Sequence, residues 1–226
     1  MEYLVAILMA AGGAGIAYAT VNKEITDKIP FLKSGEAEAY PSAVLGKIHR
    51  LTLILVAALL CGVAGWKIVD SVSDGLGIAR MLILVLGMAG AACVDYRERR
   101  IPNFFPGILA LSALVLLGLG LVLQKDGAIA YITTHFLAAV CCAVFLFLAA
   151  ALSKQGIGAG DIKLVAALAM LGGVYAVIGT LLFGVTLCCV GAVICLVTKK
   201  KNLSGSLPFG PFLFVGLIIS VILGCF

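Results

Sequence analysis

The sequence SKQGIGAGDIKLV, residues 153–165, joins two long apolar runs and places three glycines beside one aspartate at their boundary. The run before it covers roughly residues 127–152, and the run after it begins at residue 164. A helix that crosses a bilayer needs ~20 apolar residues. An ionisable residue at the end of such a helix is costly and suggests a function. The stretch therefore predicts a membrane protein with a functional residue, Asp161, near one membrane surface.

The whole chain has the composition of an integral membrane protein. Of its 226 residues 63% are hydrophobic and 12% charged, and the mean hydropathy is +1.20, which excludes a water-soluble globular domain. About eight apolar runs lie roughly at 3–21, 51–66, 79–94, 104–123, 127–152, two within 164–198, and 207–226. The stretch 164–198 is too long for one span at ~1.5 Å per residue, so we expect a break near Gly172, Gly173 and Tyr175. The predicted fold is all-α with about eight transmembrane helices. Residues 1–50 form an N-terminal helix with a short cytosolic loop, and residues 51–226 form the membrane-embedded core.

The basic residues indicate the orientation in the membrane. Eight crossings place the loops at 21–50, 95–103, 153–163 and 199–206 on one face. These loops hold 13 of the 16 basic residues: Lys23, Lys28, Lys33, Lys47, Arg50, Arg97, Arg99, Arg100, Lys154, Lys163, Lys199, Lys200 and Lys201. The positive-inside rule places this face in the cytoplasm and both termini outside. The basic clusters lack any nucleic-acid recognition motif, so no nucleic-acid partner is predicted.

Two aspartates sit at the same predicted depth on the cytosolic face. Asp95 closes the apolar run MLILVLGMAGAACVD (residues 81–95), and Asp161 opens another. Taken singly, Asp161 is also explained as a helix N-cap, and Asp95 as an ion-pair partner of Arg97, Arg99 or Arg100. Taken together, they fit an aspartic protease, in which one carboxylate keeps a proton while the other deprotonates a water that attacks a peptide carbonyl. This chemistry needs no cofactor.

Glycines and prolines accompany the two aspartates. We expect Gly156, Gly158 and Gly160 to adopt backbone conformations closed to other residues and to leave room for a substrate main chain. The segment PFGPF, residues 208–212, contributes Pro208 and Pro211. Both prolines are suitable neighbours for a substrate that must be locally extended, although an ordinary helix start explains them equally well.

At these residues the chain resembles the type IV prepilin peptidases, bacterial members of the GxGD class of intramembrane aspartyl proteases. Three elements carry the resemblance: GxGD followed by IK at residues 158–163, D-x5-IPN at residues 95–103, and the proline-rich segment at 208–212. It implies a GxGD protease fold in the bacterial inner membrane, with Asp95 and Asp161 catalytic. It also implies that Gly158, Gly160, Pro208 and Pro211 lie where substrate binds. The implied reaction removes the leader peptide from prepilins or pseudopilins on the cytosolic side.

One departure concerns the first cytosolic loop. Longer members of the family carry paired C-x-x-C motifs there that bind zinc, whereas residues 22–50 contain no cysteine. We therefore predict no metal site, and the missing motifs argue against the second activity of those members, N-methylation of the product.

Other functional classes remain open on the sequence. A relative of presenilin or signal peptide peptidase would share the GxGD pair, but Val94 precedes Asp95 where those families favour tyrosine. An ion-coupled transporter could use both acids as ligands, although both lie at one interface rather than in mid-membrane. A noncatalytic subunit of a pilus or secretion system is the third alternative. Apart from the lipid bilayer, the expected partner is a prepilin or pseudopilin, and no pattern predicts an oligomeric state.

Overall fold

The computed structural model describes residues 2–21, 47–123, 128–152, 158–197 and 208–225. These residues form helices and no strands. In chain order the helices are α1 (Glu2–Val21), α2 (Lys47–Ser71), α3 (Gly75–Glu98), α4 (Phe104–Leu123), α5 (Ala128–Leu152), α6 (Ala159–Val197) and α7 (Gly210–Ile222). Most of the first predicted cytosolic loop, and Gly156, lie outside the described residues.

Five of the described helices, α2 to α6, are long and apolar enough to cross a membrane. α1 and α7 also contain apolar segments, but these are shorter, at Tyr3–Ala19 and Gly210–Ile222. Large apolar side chains such as Phe145 and Phe147 are exposed on the outside of the bundle, as lipid-facing residues are in a membrane protein. The prediction of an all-helical, multi-pass membrane protein is confirmed, and the number of eight spans stays a prediction.

The longest helix, α6, is broken at the position that the sequence predicts. Gly173 has φ 79° and ψ −173°, which is not a helical conformation, while the residues on both sides continue as helix. A φ in this range strongly favours glycine over residues that carry a Cβ. The 39 residues of α6 therefore form two segments that meet at Gly173.

α3 is the central helix of the bundle. It packs against α1, α2, α4, α6 and α7, and it is the most buried of the five long helices. Its fully buried side chains Leu84 and Met88 belong to one apolar core that also contains Leu168 of α6 and Leu217 of α7. Since α3 carries Asp95 in its last turn, the carboxylate is attached to the least mobile kind of element, a fully packed helix.

α6 and α7 approach each other unusually closely. A Cβ added to Gly216 of α7 would lie 2.6 Å from the carbonyl oxygen of Thr180 and 2.6 Å from the backbone nitrogen of Gly184, both on α6. Small residues allow this kind of backbone contact between membrane helices. The contact holds α7 close to α6.

Candidate active site

Asp95 lies inside the last turn of α3. The helix continues to Glu98, three residues beyond the apolar run that Asp95 closes. The carboxylate is buried, with 5% of the residue exposed, and its Oδ2 accepts the backbone N–H of Gly210 at 2.7 Å. The backbone of Phe209 also hydrogen-bonds to this carboxylate, and an ion pair with Arg97, Arg99 or Arg100 stays a prediction.

Asp161 lies in the first turn of α6. The helix starts at Ala159, and the backbone N–H of Asp161 donates to the carbonyl oxygen of Gly158 at 3.0 Å. Asp161 is thus the third residue of the helix, and the N-cap explanation is wrong in position. Its carboxylate nevertheless hydrogen-bonds back to the backbone of Gly158, the reciprocal arrangement found at many helix starts.

The bundle brings the two aspartates together at one end. They belong to separate helices, yet their charges interact directly. The packing of α3 against α6 and α7 thereby creates a pair of carboxylates from positions 66 residues apart in the chain. Two such groups share protons as a unit rather than titrating independently.

Two further contacts join the segments that follow and precede the aspartates. A Cβ on Gly160 would lie 3.0 Å from the carbonyl oxygen of Ile101 and 3.2 Å from its Cβ, so the D-x5-IPN and GxGD segments touch through Gly160. Beside them, the Nζ of Lys163 donates to the Oδ1 of Asn103 at 2.9 Å. The two motifs that are separate in sequence form one continuous structure.

The structure gives Gly158 and Gly160 a different role from the one that the sequence predicts. Neither Gly158 nor Gly160 has a positive φ, so the expected special backbone conformation is wrong for both. The geometry requires space instead. A Cβ on Gly158 would lie 3.0 Å from the Oδ2 of Asp161, and the one on Gly160 would meet Ile101. At Gly160 the missing side chain allows the two aspartate-bearing segments to approach closely, and at Gly158 it leaves room for the carboxylate of Asp161.

Pro208 and Pro211 flank the short segment that contacts Asp95. The sequence analysis did not identify Gly210, which lies in this segment. Pro211 occupies the first turn of α7, so the helix-start explanation is confirmed for it, and Pro208 lies one residue before the N-cap, Phe209. Gly210 makes the closest contact. In addition to its hydrogen bond to Asp95, a Cβ there would lie 2.9 Å from the Cβ of Asp95. The central position of Gly210 in PFGPF was the available signal.

An apolar groove opens next to Pro211. It has a volume of about 120 Å³, and α2, α3 and α7 form its walls. Its lining side chains include Leu53, Leu60, Tyr96 and Phe214. No group of three or more histidine, cysteine, aspartate or glutamate side chains within the described ranges is placed to hold a metal ion.

Comparison of the sequence with known proteins assigns the chain to a family. The sequence model of the type IV leader peptidase family matches residues 82–196, a range that contains both aspartates. This chain belongs to that family. This match confirms the resemblance to the type IV prepilin peptidases. The matched range also contains the break at Gly173. The PFGPF segment lies beyond the matched range.

A curated relative supports the same assignment over more of the chain. It is a Pseudomonas aeruginosa protein called prepilin leader peptidase/N-methyltransferase, 27% identical over 201 residues. The aligned part covers 87% of this chain and 65% of the relative, so the chain spans about two thirds of the length of that protein. No solved structure matches the chain.

Proposed function

We propose that this type IV leader peptidase is an aspartic endopeptidase that removes the leader peptide from type IV prepilins or pseudopilins. The observation that carries the proposal is the meeting of Asp95 and Asp161, from two separate helices, within interacting distance at one end of the bundle. We place the protein in a bacterial inner membrane as a multi-pass protein. The excess of basic residues in the loops of this face puts the site on the cytosolic side.

The two carboxylates divide the chemistry between them. An ionised carboxylate takes a proton from a water held between the pair, and the resulting hydroxide attacks the scissile carbonyl carbon. The protonated partner donates to the oxygen that develops negative charge, and a proton then passes to the leaving amine. The hydrogen bond from Gly210 holds Asp95 in one orientation. The contacts of Asp161 with Gly158 do the same for the second carboxylate.

Substrate binding is assigned to the surroundings of the pair. Gly158 leaves space beside the Asp161 carboxylate and Gly160 leaves space beside Ile101, while Pro208 and Pro211 border the start of α7. A helical peptide bond is protected by its own hydrogen bonds, so the bond that is cleaved must lie in an extended stretch. The apolar groove beside Pro211 suits the hydrophobic segment that follows the leader in a prepilin.

Coexpression with a candidate prepilin tests the proposal. Asp95→Asn and Asp161→Asn should each lower cleavage by several orders of magnitude, because an asparagine amide can neither ionise nor share the proton. Asp70→Asn is a matched control, since Asp70 is an exposed aspartate at the other end of the bundle, paired with Lys67. Gel mobility and the mass of the product report cleavage.

The outcome also separates the competing classes. If either asparagine variant cleaves at near the wild-type rate while the wild type is active, that aspartate is not catalytic. Loss of an ion flux in both variants, with no peptide product from the wild type, would instead favour a transporter. Failure of the wild type to cleave any candidate prepilin or to carry any flux would favour the noncatalytic assembly subunit.

A further inference from the structure

A second cavity lies at the opposite end of the bundle from the aspartates. It has a volume of about 680 Å³, within the usual range for small-molecule sites. Its walls come from the α2–α3 connection, the first turns of α3, the start of α5 and the break in α6. Along α3, Arg80 in this cavity and Asp95 are 15 residues apart, which corresponds to ~22 Å of helix. The cavity is therefore separate from the candidate active site.

Arg80 is the main polar feature of the cavity. It is 9% exposed, its Nε donates to the carbonyl oxygen of Leu76 at 3.3 Å, and its guanidinium lies 4.6 Å from the centre of the Tyr131 ring. The buried Nη1 has no hydrogen-bond partner in the described part of the chain. A buried cation with an unused donor is costly unless an anion or water completes its contacts.

Asp74 is the carboxylate nearest to Arg80 in the sequence, but its oxygens bind backbone groups instead. Its two oxygens accept the backbone N–H groups of Leu76 at 3.4 Å and Gly77 at 3.1 Å, which caps α3. Its charge interacts with that of Arg80, yet the two residues form no ion pair. Arg80 therefore keeps donor capacity for a ligand.

The break in α6 lies in the wall of the same cavity. Gly172, Gly173 and Val174 line it, and the second segment of α6 begins there, so the N–H groups of its first turn are directed toward this end of the helix. The ring of His135 packs against this break, since a Cβ on Gly173 would lie 2.9 Å from the Nε2 of His135. The Nδ1 of His135 donates to the carbonyl oxygen of Tyr131 at 2.9 Å. Ser71 and Ser73, both exposed, also line the cavity.

We propose that this cavity binds a phosphate group. An arginine fork, the N-terminal turn of a helix segment and hydroxyl groups together match the charge and the several acceptor oxygens of a phosphate. Two sources share this chemistry: the headgroup of an anionic phospholipid in the leaflet that borders this end of the bundle, and free inorganic phosphate. The inference does not depend on the proteolytic activity, because it concerns the end of the bundle away from the aspartates.

Native mass spectrometry of the purified full chain in a neutral detergent tests the site. Three probes are added separately: phosphatidylglycerol, diacylglycerol with the same acyl chains, and inorganic phosphate. The variant is Arg80→Gln. The matched control is Lys67→Gln, which removes a positive charge from the same end of the bundle but not from the cavity lining.

We expect the wild type and Lys67→Gln to retain phosphatidylglycerol or phosphate in preference to diacylglycerol. Arg80→Gln should retain the same probe at least about tenfold more weakly, since a hydrogen bond to a charged group is lost. The mass of the adduct identifies the source: a phospholipid adduct assigns a headgroup site, and a phosphate adduct alone assigns a free-phosphate site.

Two results would overturn the proposal. One is equal retention of phosphatidylglycerol and diacylglycerol by the wild type with no phosphate adduct, which would indicate an ordinary lipid-facing or water-filled cavity. The other is an unchanged affinity in Arg80→Gln. If that variant does not fold, as judged by circular dichroism, the wild-type comparison of the three probes decides alone.

Discussion

Single atoms of the backbone set the geometry of the aspartate pair. The backbone nitrogen of Gly210 lies 2.7 Å from the Oδ2 of Asp95. This approach is possible because Gly210 has no side chain between the start of α7 and the last turn of α3. Gly160 plays the corresponding part where the GxGD segment meets Ile101. At both positions the functional property is the absence of a side chain, and small displacements there are expected to have large effects on catalysis.

Gly210→Ala should therefore reduce cleavage by about 100-fold, because a methyl group 2.9 Å from the Cβ of Asp95 must push α7 and the carboxylate apart. The measurement is kcat/KM for a prepilin substrate in detergent. Gly107→Ala is the control: Gly107 also lies in the first turns of a helix, and a Cβ there meets nothing within 4 Å. Equal activity of both variants would show that the contact does not position Asp95.

The hydrogen bond between Lys163 and Asn103 gives a second residue-level prediction. Lys163→Met and Asn103→Leu should each lower kcat/KM several-fold, since either change removes one of the two contacts between the motif segments. The double variant should be no worse than the single ones, because both remove the same contact. Additive losses in the double-mutant cycle would mean that the two side chains act separately.

At the scale of helices, the contact between α6 and α7 links stability to the site. α7 supplies Gly210 at its first residue, and α6 supplies Asp161 in its first turn, so the separation of the two helices bears directly on the pair. That separation is small because Gly216 lies against Thr180 and Gly184 without a Cβ. α3, the most buried of the five long helices, then holds Asp95 against both.

Gly216→Ala is expected to lower the apparent Tm and the cleavage rate together, since overpacking at a tight contact commonly costs about 1–3 kcal/mol. Gly118→Ala in α4 is the matched control, because a Cβ there meets nothing within 4 Å and alanine is the better helix former. The measurement is a thermal scan in detergent paired with the prepilin assay. A Gly216→Ala protein with wild-type Tm would contradict the proposed role of the contact.

For the whole molecule, the two ends of α3 predict the orientation in the membrane. Arg99 follows α3 at the aspartate end, and Ser73 precedes it at the cavity end. In a variant without the eight native cysteines, Arg99→Cys should react with a thiol reagent only from the cytosol, and Ser73→Cys only from outside. Labelling of both from the same side would contradict a single crossing by α3, and the reverse pattern would place the aspartates outside.

The name of the relative combines two activities, cleavage and N-methylation. Only cleavage is predicted for this chain. Because residues 22–50 lack cysteine, a metal chelator should leave cleavage unchanged, and the mature pilin should carry an unmodified amino terminus. The measurement is the mass of the product made with this chain as the sole peptidase. A product heavier by one methyl group would exclude a peptidase-only function and leave the cleavage assignment intact.

The sequence by itself determined the class of the protein, and it predicted Asp95 and Asp161 as the catalytic pair. Apolar runs indicate segments that are buried in lipid. The uncharged stretch 164–198 is too long for one bilayer crossing, which predicted a break near Gly172 and Gly173. The GxGD and D-x5-IPN motifs were readable because each is local in the chain. Only the tertiary structure decided that Gly210 holds Asp95, that Gly160 serves close packing rather than an unusual backbone conformation, and that Arg80 lies in a cavity with His135. These facts are contacts between helices far apart in sequence, and the composition of one helix carries no information about which atoms of another will lie against it.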